Sequence, residues 1–314
     1  MGVRLVTGAS YIAFLTVFYL LKIFVSDLCF DAAIWLFSLI GTFEMLRAFG
    51  AIGSKERLKD GKESASFDEK NKPTKAQTVG VFVFAAVCVP LCALCEQYFG
   101  CGAAAAGGAF LVLCLYLLSL LVARHDETDV GNTGAALFAA AYPTLLLVLL
   151  TLTNHLHASD ALAKFAFNSD LAILSIFVIS PFADSLAYVF GRFMKKKFPK
   201  KLAPVVSPNK TVIGGIGGLV GGLVGATILY FSYNAVVGSF DNAYLILSLY
   251  LSVGLLSAIA TEFGDLVESC VKRKVGIKDM GRLLPGHGGV MDRIDGTMFA
   301  TAAVYLIFKI ALAI

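Results

Sequence analysis

The chain has 314 residues, of which 58% are hydrophobic, and a formal net charge of +4. Its mean hydropathy of +0.79 excludes an ordinary soluble globular domain. Its many apolar stretches of about 20 residues suit helices that cross a bilayer, so the expected fold class is all-α, a polytopic helical membrane protein; no nucleic-acid partner is expected.

Nine spans are expected, at roughly 5–25, 28–49, 77–96, 101–123, 133–153, 169–192, 212–232, 242–264 and 296–314. With the N-terminus in the cytoplasm, 23 of the 26 Lys and Arg residues fall on the inner side, as the positive-inside rule requires. The first stretch reads as a retained span rather than a cleaved leader, because it lacks a small-residue cleavage site. The expected division is 1–165, N-terminal membrane helices with a polar cytoplasmic loop at 50–76, and 166–314, a catalytic membrane region carrying the charged stretch 265–295. Glu44, near the inner end of the second span, either snorkels or pairs with Arg47. The seven cysteines, Cys92-x-x-Cys95 included, read as packing residues. Ala103 to Ala106 and Gly107-Gly108 let helices approach closely. His125, His155 and His157 read as exposed loop residues.

Span six ends on Asp184, Tyr188 and Arg192, which share one helical face. An acid in an apolar run is a functional candidate, with hydrogen bonding to a neighbouring helix as the alternative. Lys195, Lys196, Lys197, Lys200 and Lys201 form a headgroup-facing surface. Ser207-Pro208-Asn209-Lys210-Thr211 opens span seven as a helix cap and presents backbone N–H groups to an anion. Within span seven, Gly214, Gly218 and Gly222, and likewise Gly217, Gly221 and Gly225, recur every four residues. That is a small-residue packing pattern.

The segment Asp265 to Asp295 holds five acidic and six basic residues and one histidine. If span eight continues as a helix, Asp265, Glu268 and Lys272 fall on one face, and Asp292 and Asp295 pair in the same way before span nine. Carboxylates gathered from separate segments suit Mg²⁺, which takes hard oxygen ligands together with phosphate and water. Lys272, Arg273, Lys274, Lys278 and Arg282 supply cations for polyphosphate. Pro285-Gly286-His287-Gly288-Gly289 reads as a turn able to cradle an anion.

The run Ser269-x-x-Lys272-Arg273-x-x-x-x-Lys278-Asp279, continuing to Pro285-Gly286-His287-Gly288-Gly289-x-x-Asp292-Arg293-x-Asp295, resembles the signature of the phosphatidate cytidylyltransferase (CDP-diacylglycerol synthase) family. Asp184-Ser185-x-Ala187-Tyr188-x-x-Gly191-Arg192 and Ser207-Pro208-x-Lys210-Thr211 resemble that family too. The N-terminal spans are similar to it only in hydropathy, and Ile213 stands where the family usually carries an acid.

The resemblance implies transfer of CMP from CTP to phosphatidate, giving CDP-diacylglycerol and pyrophosphate, an early step of phospholipid synthesis. It implies a Mg²⁺-dependent enzyme with Asp265 and Asp292 as principal metal ligands, Asp295 and Glu268 as lesser ones, and a second cation able to share them. Lys272, Arg273, Lys278 and Arg293 would hold phosphates, and His287 would donate a hydrogen bond to phosphate rather than act as a base. Ser207, Lys210 and Thr211 would bind CTP; Asp184, Tyr188, Arg192, Gly288 and Gly289 would line the substrate site. The expected setting is a bacterial inner membrane with the site on its cytoplasmic side, and monomer or homodimer stays open. The alternatives are a CTP-dependent polyprenol-type lipid kinase, which would release CDP, and a transporter, against which the one-sided charge and the lack of a repeat both count.

Overall fold

The computed structural model describes residues 2–52, 71–156, 168–237 and 243–313. Their helices are α1 (Gly2–Phe24), α2 (Asp27–Ala48), α3 (Lys75–Phe99), α4 (Gly102–Ala123), α5 (Val130–Asn154), α6 (Ser169–Met194), α7 (Val212–Val237), α8 (Ala243–Val275) and α9 (Met291–Ala313). Among the described residues the only sheet is an antiparallel hairpin of β1 (Lys201–Ala203) and β2 (Ser207–Thr211), with Lys201 opposite Thr211. Each helix from α1 to α8 is long and apolar enough to cross a membrane, and α9 falls on the ninth expected span. The chain is a polytopic all-α membrane protein. Most of the 50–76 loop, and His157, lie outside the described residues.

Helix boundaries follow local chemistry. Ser26 caps α2 by accepting from the Leu28 N–H. Thr74 and Gln77 form a reciprocal capping box on α3, which ends on Gly100 at φ 64°. Asp129 and Asn132 do the same for α5, and Asn168 caps α6. Each cap satisfies N–H groups that have no partner within the helix. Inside α5 the backbone widens into a π-turn, Ala141–Leu145. Pro143 lies within it; lacking an N–H, it cannot complete the ordinary helical ladder.

By its contacts the chain forms two units, residues 1–155 with 271–294, and residues 156–270 with 295–314. In the first, α5 is central and α1 peripheral: 67% of the α5 span is buried against 6% of the α1 span. Several buried polar side chains within it are paired. Ser38 and Thr42 hydrogen bond to Thr144 at 2.9 and 3.2 Å, and Gln77 donates to Asn132 and Thr133 at 3.0 Å each. His155 is buried, contrary to the exposed-loop expectation, with Nε2 2.7 Å from Asp31 Oδ2. Asn154 donates to the other Asp31 oxygen. His125 is exposed as expected, beside Asp126. Gly107 and Gly108 face open space among the described residues, so the close approach expected there does not occur.

In the second unit, α6 and α7 pack backbone to backbone. A β-carbon at Gly217 would sit 2.7 Å from the Leu186 carbonyl oxygen, and one at Gly221 would meet the Phe182 carbonyl and the Ala183 Cα. Gly222 faces Gly254 and Ala258 of α8. The small-residue pattern thus serves two neighbours, with Gly217, Gly221 and Gly225 on α6 and Gly218 and Gly222 on α8.

Backbone atoms cannot step aside as a side chain can. Gly221→Ala should therefore destabilise the detergent-solubilised protein by about 1–3 kcal/mol, read as a thermal midpoint lowered by several degrees. Gly107→Ala should leave the midpoint unchanged or raise it, because alanine is the better helix former. Equal midpoints for the two variants would contradict this packing.

Candidate active site

α8 has 33 residues, or about 50 Å at 1.5 Å per residue, longer than the roughly 30 Å hydrocarbon layer. Its charged end from Glu262 to Lys274 therefore extends beyond the apolar part of the helix. The expected continuation of span eight is present, and Asp265, Glu268 and Lys272 share a face of one unbroken helix.

In the second unit, Lys210 is the focus. Its Nζ lies 2.7 Å from Asp265 Oδ2 and 3.2 Å from Glu262 Oε2. Burial of the ammonium group pulls its pKa down, but Asp265 and Glu262 outweigh that and hold it above the ordinary lysine value. Ser269 donates to Asp265 at 3.3 Å. The β-hairpin that delivers Lys210 was not expected; the 207–211 run forms a strand before the helix begins. Thr211 does act as the cap, its Oγ1 accepting from the Gly214 N–H at 3.1 Å. Asp184, on α6, lies within electrostatic range of Asp295, Asp265, Glu262 and Lys210.

Two glycines bring α8 and α9 together here. A β-carbon at Gly264 would sit 2.7 Å from the Asp295 carbonyl oxygen, and one at Gly296 would sit 2.8 Å from Thr261 Cγ2. Two carboxylates, Glu262 and Asp265, thus flank Lys210, and Asp184 lies within electrostatic range of both, of Lys210 and of Asp295. Among the described residues no three His, Cys, Asp or Glu side chains form a ready metal cage. Mg²⁺ needs none, since it takes one or two carboxylates and completes its shell with phosphate and water. Its hard oxygens and surplus negative charge make this donor set fit such an ion. Tyr188 and Arg192 lie further along α6, the guanidinium hydrogen bonded to the Tyr188 hydroxyl and set 5.8 Å from its ring.

The first unit holds the Pro285–Gly289 segment. Pro285, Gly286 and His287 form the expected turn, closed by the Leu284 N–H on the Gly288 carbonyl at 2.9 Å. Gly286 and Gly288 have φ of 77° and 88°, a region side chains disfavour. Asp292 organises the segment. Its Oδ2 accepts from the Met280 and Gly289 N–H groups, each at 2.8 Å, and its Oδ1 takes Lys272 Nζ at 2.8 Å. His287 is half-buried, and its Nδ1 has no partner among the described residues, which leaves a ring nitrogen for a ligand. Arg273, Lys278, Arg282 and Arg293 are exposed cations. Glu268 is fully buried.

Two acids that matter here were not among the expected site residues. Glu262 stands three residues before Asp265 on the same helix, a spacing that could have marked it. Glu44 is 3% exposed and accepts from the Val290 and Met291 N–H groups at 3.0 and 2.9 Å; it neither snorkels nor forms an ion pair with Arg47. Nothing in the sequence links it to partners 246 and 247 residues away.

The chain is similar to several bacterial proteins named phosphatidate cytidylyltransferase. That of Staphylococcus haemolyticus (strain JCSC1435) is 45% identical over 191 residues, 61% of this chain and 65% of the relative. That of Staphylococcus aureus (strain COL) is 47% identical over 129 residues, 40% of this chain and 45% of the relative. That of Brucella abortus biovar 1 (strain 9-941) is 38% identical over 188 residues, 60% of this chain and 61% of the relative. The chain thus spans between 45% and 65% of the length of these relatives. The family model described as cytidylyltransferase family matches residues 4–311, taking in all nine helices and the loops that carry the charged side chains, and the chain belongs to that family.

Proposed function

We propose that this protein transfers the cytidylyl group of CTP to phosphatidate, forming CDP-diacylglycerol and pyrophosphate. Membership of the cytidylyltransferase family over 4–311 carries this reading, and relatives named phosphatidate cytidylyltransferase supply the lipid substrate. The sequence supports it: with the N-terminus inside, 23 of the 26 Lys and Arg residues fall on the inner side, where a soluble nucleotide and a lipid phosphate would both be within reach. We assign that side to the cytoplasm of a bacterial inner membrane, from the positive-inside count.

The phosphatidate oxygen attacks the α-phosphorus of CTP. A P–O bond forms there, the bond to the β,γ-phosphate unit breaks, and pyrophosphate leaves with the electron pair. A phosphate monoester is largely ionised near neutral pH, so no strong base is required. The protein's work is positioning and charge neutralisation. Lys210, with Ser207 and Thr211, binds CTP while Glu262 and Asp265 fix the lysine; with Ile213 in place of the family's usual acid, these two carboxylates are its ion-pair partners among the described residues. Arg273, Lys278 and Arg293 meet phosphate oxygens. Lys272 holds Asp292, and the 285–289 turn directs His287 at a phosphate oxygen as a donor. Asp184, Tyr188 and Arg192 line the lipid side, and Gly288 and Gly289 allow the backbone to come close to an anion.

Magnesium is part of the proposal: Asp265 and Asp292 would be its principal ligands, with Asp295 and Glu268 as lesser ones. When bound, the ion supplies electrostatic neutralisation of the triphosphate. A lipid kinase using the same nucleotide would release CDP, so identifying the released product separates the two readings.

Asp265→Asn should lower liponucleotide formation by at least a hundredfold while the protein remains membrane-inserted and folded. Pyrophosphate should appear in equal amount with the liponucleotide in the unchanged enzyme. Near-normal turnover in Asp265→Asn would refute the role given to that carboxylate.

Lys210 gives a pH prediction. A lysine pKa raised by folding contributes stability fully present below the unfolded value of about 10.4 and lost as pH rises through the higher folded value. The thermal midpoint difference between the unchanged protein and Lys210→Met should thus stay constant from about pH 6 to 9 and shrink only above about 10.4. A difference that shrinks below pH 9 would contradict the ion pairing.

A further inference from the structure

We propose that Glu44 is a positioning residue for the reaction: its carboxylate, presented from the second helix, fixes the 280–292 segment that carries His287 and Asp292. The proposal rests on the cytidylyltransfer reading for its effect on turnover, but not for its structural part.

The geometry is specific. One oxygen accepts from the Val290 N–H at 3.0 Å and the other from the Met291 N–H at 2.9 Å. These amides open α9, where N–H groups lack helical partners and the helix end carries partial positive charge. Glu44 is 3% exposed, so water hardly competes for either bond. The backbone is shaped to admit the group. A β-carbon at Gly281 or Gly289 would land on the Glu44 carboxylate, and one at Gly281 would also lie 3.0 Å from the Gly289 Cα. Two strands of the loop therefore close around this one side chain.

Asp292 follows directly. Its own amide bonds run to Met280 and Gly289, which flank the region that Glu44 holds. Glu44 and Asp292 thus grip the loop from opposite chemical directions, and the cation Lys272 is aligned by the second of them. Thr7 of α1 adds a third hold, donating to the Pro285 carbonyl at 3.1 Å. The first two helices therefore brace the signature loop. Loss of Glu44 leaves the phosphate-facing groups present but misplaced, and preorganised groups act most strongly where charge builds in the transition state.

The test uses the full chain in detergent micelles, with Glu44→Gln and Glu44→Ala. Glutamine preserves shape and one acceptor oxygen; alanine preserves neither. In both variants, amide hydrogen exchange in peptides covering 280–292 should quicken at least tenfold, more in alanine than in glutamine, with peptides from α3 and α7 unchanged. Turnover should fall at least tenfold, with both KM values within threefold. Exchange in 280–292 unchanged in folded Glu44→Ala would overturn the proposal. So would quickened exchange with unchanged turnover, and so would failure of both variants to fold, which would make Glu44 a purely structural residue. If the unchanged protein makes no liponucleotide, the functional reading fails and the positioning role with it, while the exchange result still decides whether Glu44 holds the loop.

Discussion

Backbone amides held by carboxylates are the interaction on which the signature loop depends. The segment between α8 and α9 has no helix or extended ladder to satisfy its N–H groups, yet it lies between two membrane helices. Unpaired backbone in such a place is costly. Asp292 takes the Met280 and Gly289 amides, and Glu44 takes those of Val290 and Met291. Four amides are thereby matched to two acids. Glycine at 281 and 289 follows from the same constraint, because the Glu44 carboxylate occupies the space of a β-carbon.

The second unit solves a different problem with the same residue type. There, glycine lets helices approach until functional side chains from distant parts of the chain share an environment. Gly264 and Gly296 close α8 on α9, Gly217 and Gly221 close α6 on α7, and Gly218 makes room for Glu262. Lys210 is then surrounded by more negative charge than it can neutralise. An excess of carboxylate over ammonium is unfavourable in itself, but it suits the divalent cation and polyphosphate that we propose as ligands.

Much of this was legible in the sequence, and the limits have physical reasons. The nine expected spans each fall on a helix among the described residues, because hydrophobic length is a local property. The extension of α8 past Glu262, the cap at Thr211, the turn at 285–289 and the Tyr188–Arg192 pairing are also local, set by spacings of three to five residues. The glycine spacing in span seven foretold close packing, though not that two different helices would use it. What escaped depended on remote partners. Glu44 reads as a snorkelling side chain because the amides that donate to it lie more than 240 residues away. His155 looked exposed because its burial depends on Asp31, 124 residues earlier. Gly107 and Gly108 have the composition of a packing face, but no helix among the described residues takes it up. The 201–211 hairpin is short and rich in lysine and proline, and its pairing carries no hydrophobic alternation to announce it.

The most direct measurement follows the phosphorus atoms of CTP. The purified protein would be given phosphatidate, Mg²⁺ and CTP labelled with radioactive phosphorus at either the α or the γ position. Cytidylyl transfer requires the α label to enter the lipid fraction and the γ label to leave as pyrophosphate. Entry of the γ label into lipid, with the α label remaining in soluble CDP, would contradict the account and make the protein a kinase.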